Sequence, residues 1–231
     1  ITRDLRTFSR PEEAAIGLVD VKAAIASVLK LVHNEVEVRA RLSLVIEDVA
    51  HAKPIAEAFV AGGLRVLEVT LRTEAGLDAI REMKKVAGAI VGAGTVVDVA
   101  GLESAIAAGS EFIVSPGLTE KLGLAAVAKG IPFLPGVANA GDIMRGLDLG
   151  LTHFKFFPAE ANGGLPALKS LIGPFGQCKF CPTGGIRQDT AADWLAVPEI
   201  LCVGGSWLVA KGTPDVAAIE AAARAAAALA R

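Results

Sequence analysis

Two ionisable residues stand in apolar runs, where a charge is costly. Glu68 lies within Val66-Leu67-Glu68-Val69-Thr70-Leu71-Arg72, and Lys155 within His153-Phe154-Lys155-Phe156-Phe157-Pro158. A carboxylate or an ammonium in such a setting must be paired or in use. Desolvation and nearby cations favour the neutral form of a lysine, and a neutral amine attacks carbonyls. A carboxyl group close by can move protons at the carbon being attacked or deprotonated. A lysine and a glutamate on different strands of one sheet therefore point to Schiff-base chemistry. Each residue also has a plainer reading. Glu68 could be the buried ion-pair partner of Arg72, and Lys155 could carry its ammonium out to a rim.

A second kind of chemistry is written in glycines. Thr183-Gly184-Gly185 and Gly204-Gly205-Ser206 each follow a short apolar run. Without side chains, backbone N–H groups can approach an oxyanion closely, and two such loops side by side suit a phosphate better than they suit the plainer reading, two tight strand–helix turns. Gly92-Ala93-Gly94 lacks the third glycine of a dinucleotide fingerprint, and the sequence holds no Walker loop. Thr95, next to it, could reach a ligand or cap the following helix. Cys178 and Cys181 match C-x-x-C, but positions three apart on a strand face opposite ways, and no second pair completes a zinc set. Cys202 reads as core. His33, His51 and His153 lack metal-ligand spacing. No metal and no cofactor is expected.

The elements that must position these residues alternate along the chain. Apolar runs suited to parallel strands buried on both faces are Leu42–Ile46, Arg65–Thr70, Ala89–Gly92, Glu111–Val114, Pro132–Leu134, His153–Phe156, Lys179–Pro182 and Ile200–Val203. Helical patterns separate them, and a last one runs over Asp215–Leu229. This rhythm predicts a (β/α)8 TIM barrel over residues 42–231, whose active site sits at the C-terminal strand ends and whose phosphate site follows the last two strands. The rival is an open, doubly wound sheet. Residues 1–41 differ. Pro11-Glu12-Glu13 can open a helix, and Ile25, Val28, Leu29 and Val32 recur at helical spacing, so an N-terminal helical extension is expected there.

Composition narrows the function classes. In 231 residues, hydrophobic types make up 52% and charged types 21%, which excludes a disordered chain. Lys and Arg total 23 against 25 Asp and Glu, so the basic footprint of a nucleic-acid binder is missing. No apolar run reaches the roughly 18 residues that would suggest a membrane span. Three cysteines form no even disulfide set, and the first residues show no apolar signal core, so a cytoplasmic location is expected.

Six strings together identify a resemblance. Val-Leu-Glu-Val-Thr-Leu-Arg-Thr (66–73), Val-Gly-Ala-Gly-Thr-Val (91–96), Val-Ser-Pro-Gly-Leu-Thr (114–119), Phe-Lys-Phe-Phe-Pro-Ala-Glu (154–160), Phe-Cys-Pro-Thr-Gly-Gly-Ile (180–186) and Cys-Val-Gly-Gly-Ser-Trp (202–207) occur in order without large gaps. They resemble the 2-keto-3-deoxy-6-phosphogluconate (KDPG) aldolase and 4-hydroxy-2-oxoglutarate aldolase family over roughly residues 42–231. The resemblance implies a metal-free class I aldolase on a (β/α)8 barrel, usually a homotrimer. Such an enzyme cleaves KDPG to pyruvate and glyceraldehyde 3-phosphate in the Entner–Doudoroff route, and often 4-hydroxy-2-oxoglutarate to pyruvate and glyoxylate. It further implies Lys155 as the Schiff-base lysine and Glu68 as the general acid/base. Arg72, Thr95 and Thr183 would hold the pyruvyl carboxylate and order the site, and Pro116 and Phe157 would line it. Gly184, Gly185, Gly205 and Ser206 would bind phosphate.

The front of the chain departs from the family pattern. The lead-in is longer, and Arg-Leu-Ser-Leu-Val-Ile (41–46) lacks the prolines usual in the first strand. Alternative functions are the aldolase for the galactonate epimer, a non-catalytic trimeric barrel scaffold, and a phosphate-binding barrel isomerase. Val69-Thr70-Leu71-Arg72 favours the gluconate substrate, intact Lys155 and Glu68 disfavour the scaffold, and an isomerase would not need a lysine among phenylalanines.

Overall fold

Apolar runs between amphipathic stretches bury themselves best as parallel strands covered by helices on one side and by each other's side chains on the other. A computed structural model describes residues 40–205, 208–209 and 213–228, and shows that arrangement. The strands are β1 (Ala40–Leu44), β2 (Val66–Thr70), β3 (Ile90–Gly94), β4 (Ile113–Val114), β5 (Phe133–Leu134), β6 (Gly136–Val137), β7 (His153–Phe156), β8 (Lys179–Pro182) and β9 (Val203–Gly205). The α-helices are α1 (Ala52–Ala61), α2 (Gly76–Met83), α3 (Val99–Ala107), α4 (Glu120–Ala128), α5 (Ala140–Asp148), α6 (Gly164–Ile172), α7 (Ala191–Leu195) and α8 (Val216–Ala227).

Among the described residues every strand pairing is parallel, and the strands follow sequence order around a ring. β1 pairs with both β2 and β9, so the last strand returns to the first. Bridges Phe180↔Ile200 and Thr183↔Gly204 join β8 to β9. An open doubly wound sheet would reverse its strand order at a switch point. The ring is the expected (β/α)8 barrel.

Several boundaries differ from the sequence expectation: β3 runs two residues further, to Gly94, and β4 begins two residues later, at Ile113. The fifth barrel strand is split into β5 and β6 at Pro135, which has no N–H to give to a ladder. Its carbonyl still accepts from the Lys155 N–H at 2.8 Å, so the chain itself bridges the gap. The last strand lies later than expected, at Val203–Gly205, because Ile200 meets β8 through an isolated bridge only. β1 takes in Ala40 and Arg41, two residues assigned above to the extension. The rest of the expected N-terminal helical extension lies outside the described residues.

Local chemistry sets the helix ends. Asp98, Thr119, Asn139 and Asp215 each accept a hydrogen bond from a first-turn backbone N–H of the helix that follows. At the C-terminus of α3, Gly109 has φ +95° and Ser110 N–H reaches back to Ala105 O at 3.1 Å. That left-handed turn suits glycine and satisfies a carbonyl the helix leaves open. Two apolar clusters fill the space under the helices. One runs from Leu44 through Leu67, Val69, Ile80 and Leu102 to Ala226, and the other joins Phe154, Phe156, Leu168, Phe180 and Trp194.

At the opposite end of the barrel from the glycine loops, His153 starts β7 beside Lys179 of β8. Burial, with the Lys179 charge second, lowers the His153 pKa below the usual histidine range. The unfolded chain therefore takes up a proton at higher pH than the folded one, so stability present above pH about 6.5 is lost as pH falls through the folded value. The urea midpoint should drop between pH about 7.5 and about 5.5, and His153→Gln should flatten that slope. Equal slopes for the two proteins would show that His153 contributes nothing to it.

Candidate active site

Alternation along β2 decides where Glu68 points. Leu67 and Val69 belong to the apolar cluster beneath the helices, so Glu68 and Thr70 face the barrel interior. The same rule operates on β7, where Phe154 and Phe156 pack outward and Lys155 turns in. Both residues are buried, with Glu68 0% and Lys155 5% exposed. Lys155 Nζ lies 3.7 Å from Glu68 Oε1, and 4.8 Å from the centre of the Phe157 ring. Lys155 thus does not carry its charge to water, and an ion-pair partner of Glu68 is Lys155, from across the barrel.

The other expected residues occupy the C-terminal strand ends. Arg72 is exposed in the turn just past β2, and Thr95 directly follows β3. These two strand ends are tied by Leu71 N–H donating to Gly94 O at 2.8 Å. Thr95 has φ +60°, a conformation that non-glycine residues seldom adopt and that often marks a functional site. Pro116 follows β4, and its carbonyl lies against Gly136, the register partner of Lys155 on β6. Thr183 follows β8, is buried, and bridges to Gly204.

The first glycine loop sits against the lysine strand. Gly184 and Gly185 have φ of +103° and +83°, and a Cβ on Gly184 would lie 3.4 Å from the Phe157 ring. Ala159 N–H donates to Thr183 O and Glu160 N–H to Gly184 O, at 2.8 and 3.0 Å. Gly205 ends β9 and pairs with Leu42 of β1. Ser206 lies outside the described residues. Lys155, Glu68, Phe157, Pro116, Thr183, Gly184 and Gly185 are thus linked through direct contacts or neighbouring strand positions.

Sequence reasoning missed other polar groups around this mouth. Thr70 is buried and its hydroxyl donates to Leu44 O at 2.9 Å, tying β2 to β1 one step above Glu68. Ser115 is buried and accepts from Gly117 N–H at 3.3 Å, shaping the turn that carries Pro116. Glu160 accepts from Trp194 Nε1 at 3.3 Å, and a Cβ on Gly185 would run into its side chain. Thr70 and Ser115 could have been found as polar residues at the ends of apolar runs. Glu160 has no such signal, since it lies in a loop and meets its partner only in the folded chain.

A buried amine beside a buried carboxyl, under an aromatic ring and next to a glycine loop, can bind a carbonyl compound covalently and move protons beside it. Comparisons with known proteins place the chain in a family. The family model for KDPG and KHG aldolase matches residues 34–222. The chain is 63% identical over 188 residues to the 2-dehydro-3-deoxy-phosphogluconate aldolase of Zymomonas mobilis, covering 81% of this chain and 90% of that one. The crystal structure of the 2-keto-3-deoxy-6-phosphogluconate aldolase of Zymomonas mobilis with 3-phosphoglycerate superposes with a TM-score of 0.85 at 59% identity, over 90% of this chain and 96% of that one. The KDPG aldolase of Legionella pneumophila, with pyruvate captured at low pH as a covalent carbinolamine intermediate, superposes with a TM-score of 0.80 at 41% identity, over 82% and 94%. The chain belongs to the KDPG and KHG aldolase family.

Proposed function

We propose that this protein is a class I aldolase, a carbon–carbon lyase that cleaves KDPG to pyruvate and glyceraldehyde 3-phosphate. It cleaves 4-hydroxy-2-oxoglutarate to pyruvate and glyoxylate in the same site. The observation that carries this reading is the buried Lys155 amine 3.7 Å from the Glu68 carboxylate. The relative from Legionella pneumophila that holds pyruvate as a covalent carbinolamine supports it. An Entner–Doudoroff role, a cytoplasmic location and a homotrimer belong to the same proposal and rest on the family resemblance. Among the described residues, no helix is long and apolar enough to cross a membrane.

The reaction follows from the placement. The unprotonated Lys155 amine adds to the C2 ketone of KDPG, and the carbinolamine takes up a proton and loses water to give a protonated imine. The imine is an electron sink. Glu68 takes the proton from the C4 hydroxyl, directly or through water, as the C3–C4 bond breaks and its electrons pass into the enamine. Glyceraldehyde 3-phosphate leaves. The carboxyl, now protonated, returns its proton to C3 of the enamine, and hydrolysis frees pyruvate and the lysine. One carboxyl serves both proton transfers because the second restores the state that the first consumed. Arg72, Thr95 and Thr183 take the pyruvyl carboxylate, while Pro116 and Phe157 line the pocket. Gly184, Gly185, Gly205 and Ser206 take the phosphate. The chemical end and the phosphate end are thus separate.

Borohydride reduction with pyruvate should add one pyruvyl-derived mass, found on the peptide containing Lys155. An adduct on another lysine, or none, would remove the class I assignment. Glu68→Gln should still form the trapped adduct while cleavage falls by about 100- to 10,000-fold. Near-normal turnover would leave Glu68 as an ion-pair partner only.

The phosphate end is tested by comparing substrates. Gly205→Val should sharply lower kcat/KM for KDPG and leave 4-hydroxy-2-oxoglutarate, which has no phosphate, near its original value. Remote binding energy can also raise turnover, so part of the loss should appear in kcat. Equal losses on both substrates, on a preparation with unchanged circular dichroism, would show that these loops are not a selective phosphate site.

A further inference from the structure

The register of β2 and β3 sets Glu68 opposite Gly92 and Thr70 opposite Gly94. Yet it is Gly94 that the Glu68 side chain reaches. A Cβ built on Gly94 would overlap Oε1 and stand 2.6 Å from the carboxylate carbon and 2.7 Å from Cγ. The side chain therefore leans two residues up the strand direction, toward the barrel mouth, and lies across the bare Cα of Gly94. The same side chain ends 3.7 Å from Lys155 Nζ.

The same relation recurs around the barrel. A Cβ on Gly204 of β9 would overlap the hydroxyl of Thr183 at the end of β8. One on Gly136 of β6 would overlap the carbonyl of Pro116, which follows β4. In each case the glycine lies on a later barrel strand, against a residue expected in the site. The cases differ in what must yield. At Gly136 the obstacle is backbone, whereas at Gly94 it is the buried Glu68 side chain from Cγ to Oε1.

We infer that Gly94 is a positioning residue for the reaction: its missing side chain is the seat that holds the Glu68 carboxylate at Lys155. This inference rests on the aldolase reading above. A methyl group on Gly94 fills the seat. The backbone there is held by Leu71 N–H donating to Gly94 O at 2.8 Å, so the carboxylate is what moves. The lysine keeps its amine and its aromatic cover, so imine formation survives while proton transfer at C4 and C3 is lost.

The test uses the full chain in four forms: wild type, Gly94→Ala, Glu68→Gln and the double variant. Gly94→Ala is expected to keep borohydride trapping of pyruvate and to lose cleavage by about 100-fold or more, the size of an acid/base deletion. In the Glu68→Gln background the alanine should cost little further, because the group it displaces is already disabled. Near-normal turnover of Gly94→Ala, or losses that multiply in the double variant, would overturn the inference. If Gly94→Ala melts too low to assay, Gly94→Ala/Glu68→Ala decides. Recovery of the melting temperature of Glu68→Ala alone locates the crowding at the glutamate, and an equally unstable double variant overturns the inference. Wild-type protein that neither traps pyruvate nor cleaves KDPG would remove the aldolase reading and this inference together. Wild-type activity with an unaffected Gly94→Ala would remove this inference alone.

Discussion

The ion pair between Lys155 and Glu68 is the constraint around which the barrel mouth is arranged. Two ionisable groups have been taken from water, and their separation of 3.7 Å is looser than a hydrogen bond between such groups. Breaking a buried pair by deleting one partner costs about 3–5 kcal/mol, since the other charge is left unmatched. The pair is therefore a poor source of stability. The apolar packing behind the two strands supports it. Leu67 and Val69 on one side, and Phe154 and Phe156 on the other, hold the backbones so that alternation aims both side chains inward.

Space in the mouth is the second requirement. Three glycines, at positions 94, 136 and 204, are filled by neighbouring side-chain or backbone atoms that a Cβ would meet. They are close approaches between strands rather than turns, so they differ in kind from Gly184 and Gly185, whose positive φ shapes a loop. That loop lies beside Phe157, while Glu160 and Trp194 brace its far side. The Gly184-Gly185 loop thus shares a wall with the lysine strand.

Much of the fold was legible because periodicity and burial agree in a parallel barrel. The runs at His153–Phe156 and Lys179–Pro182 match the strands to the residue. Two of the departures lie where regular pairing breaks. Pro135 splits one strand, and the last strand begins at Val203 because Ile200 meets β8 through an isolated bridge and not a ladder. An apolar run reads the same whether or not its ladder is continuous, so hydrophobicity could not place those ends.

By itself the sequence determined the chemistry on offer: an amine among phenylalanines, a carboxyl among aliphatics, and two glycine loops after the last strands. It also determined the strand order, since short connections between alternating elements leave few topologies. Partner choice was decided only in three dimensions. Arg72, four residues on, looked the natural partner of Glu68, but alternation and ring closure brought Lys155 from 87 positions away in the chain to within 3.7 Å of it. The value of Gly94 was equally hidden. As a sequence feature it was half of a failed nucleotide motif, and its role depends on how far a glutamate on the neighbouring strand leans. Such a contact is set by register and side-chain direction, and neither is a property of any one segment.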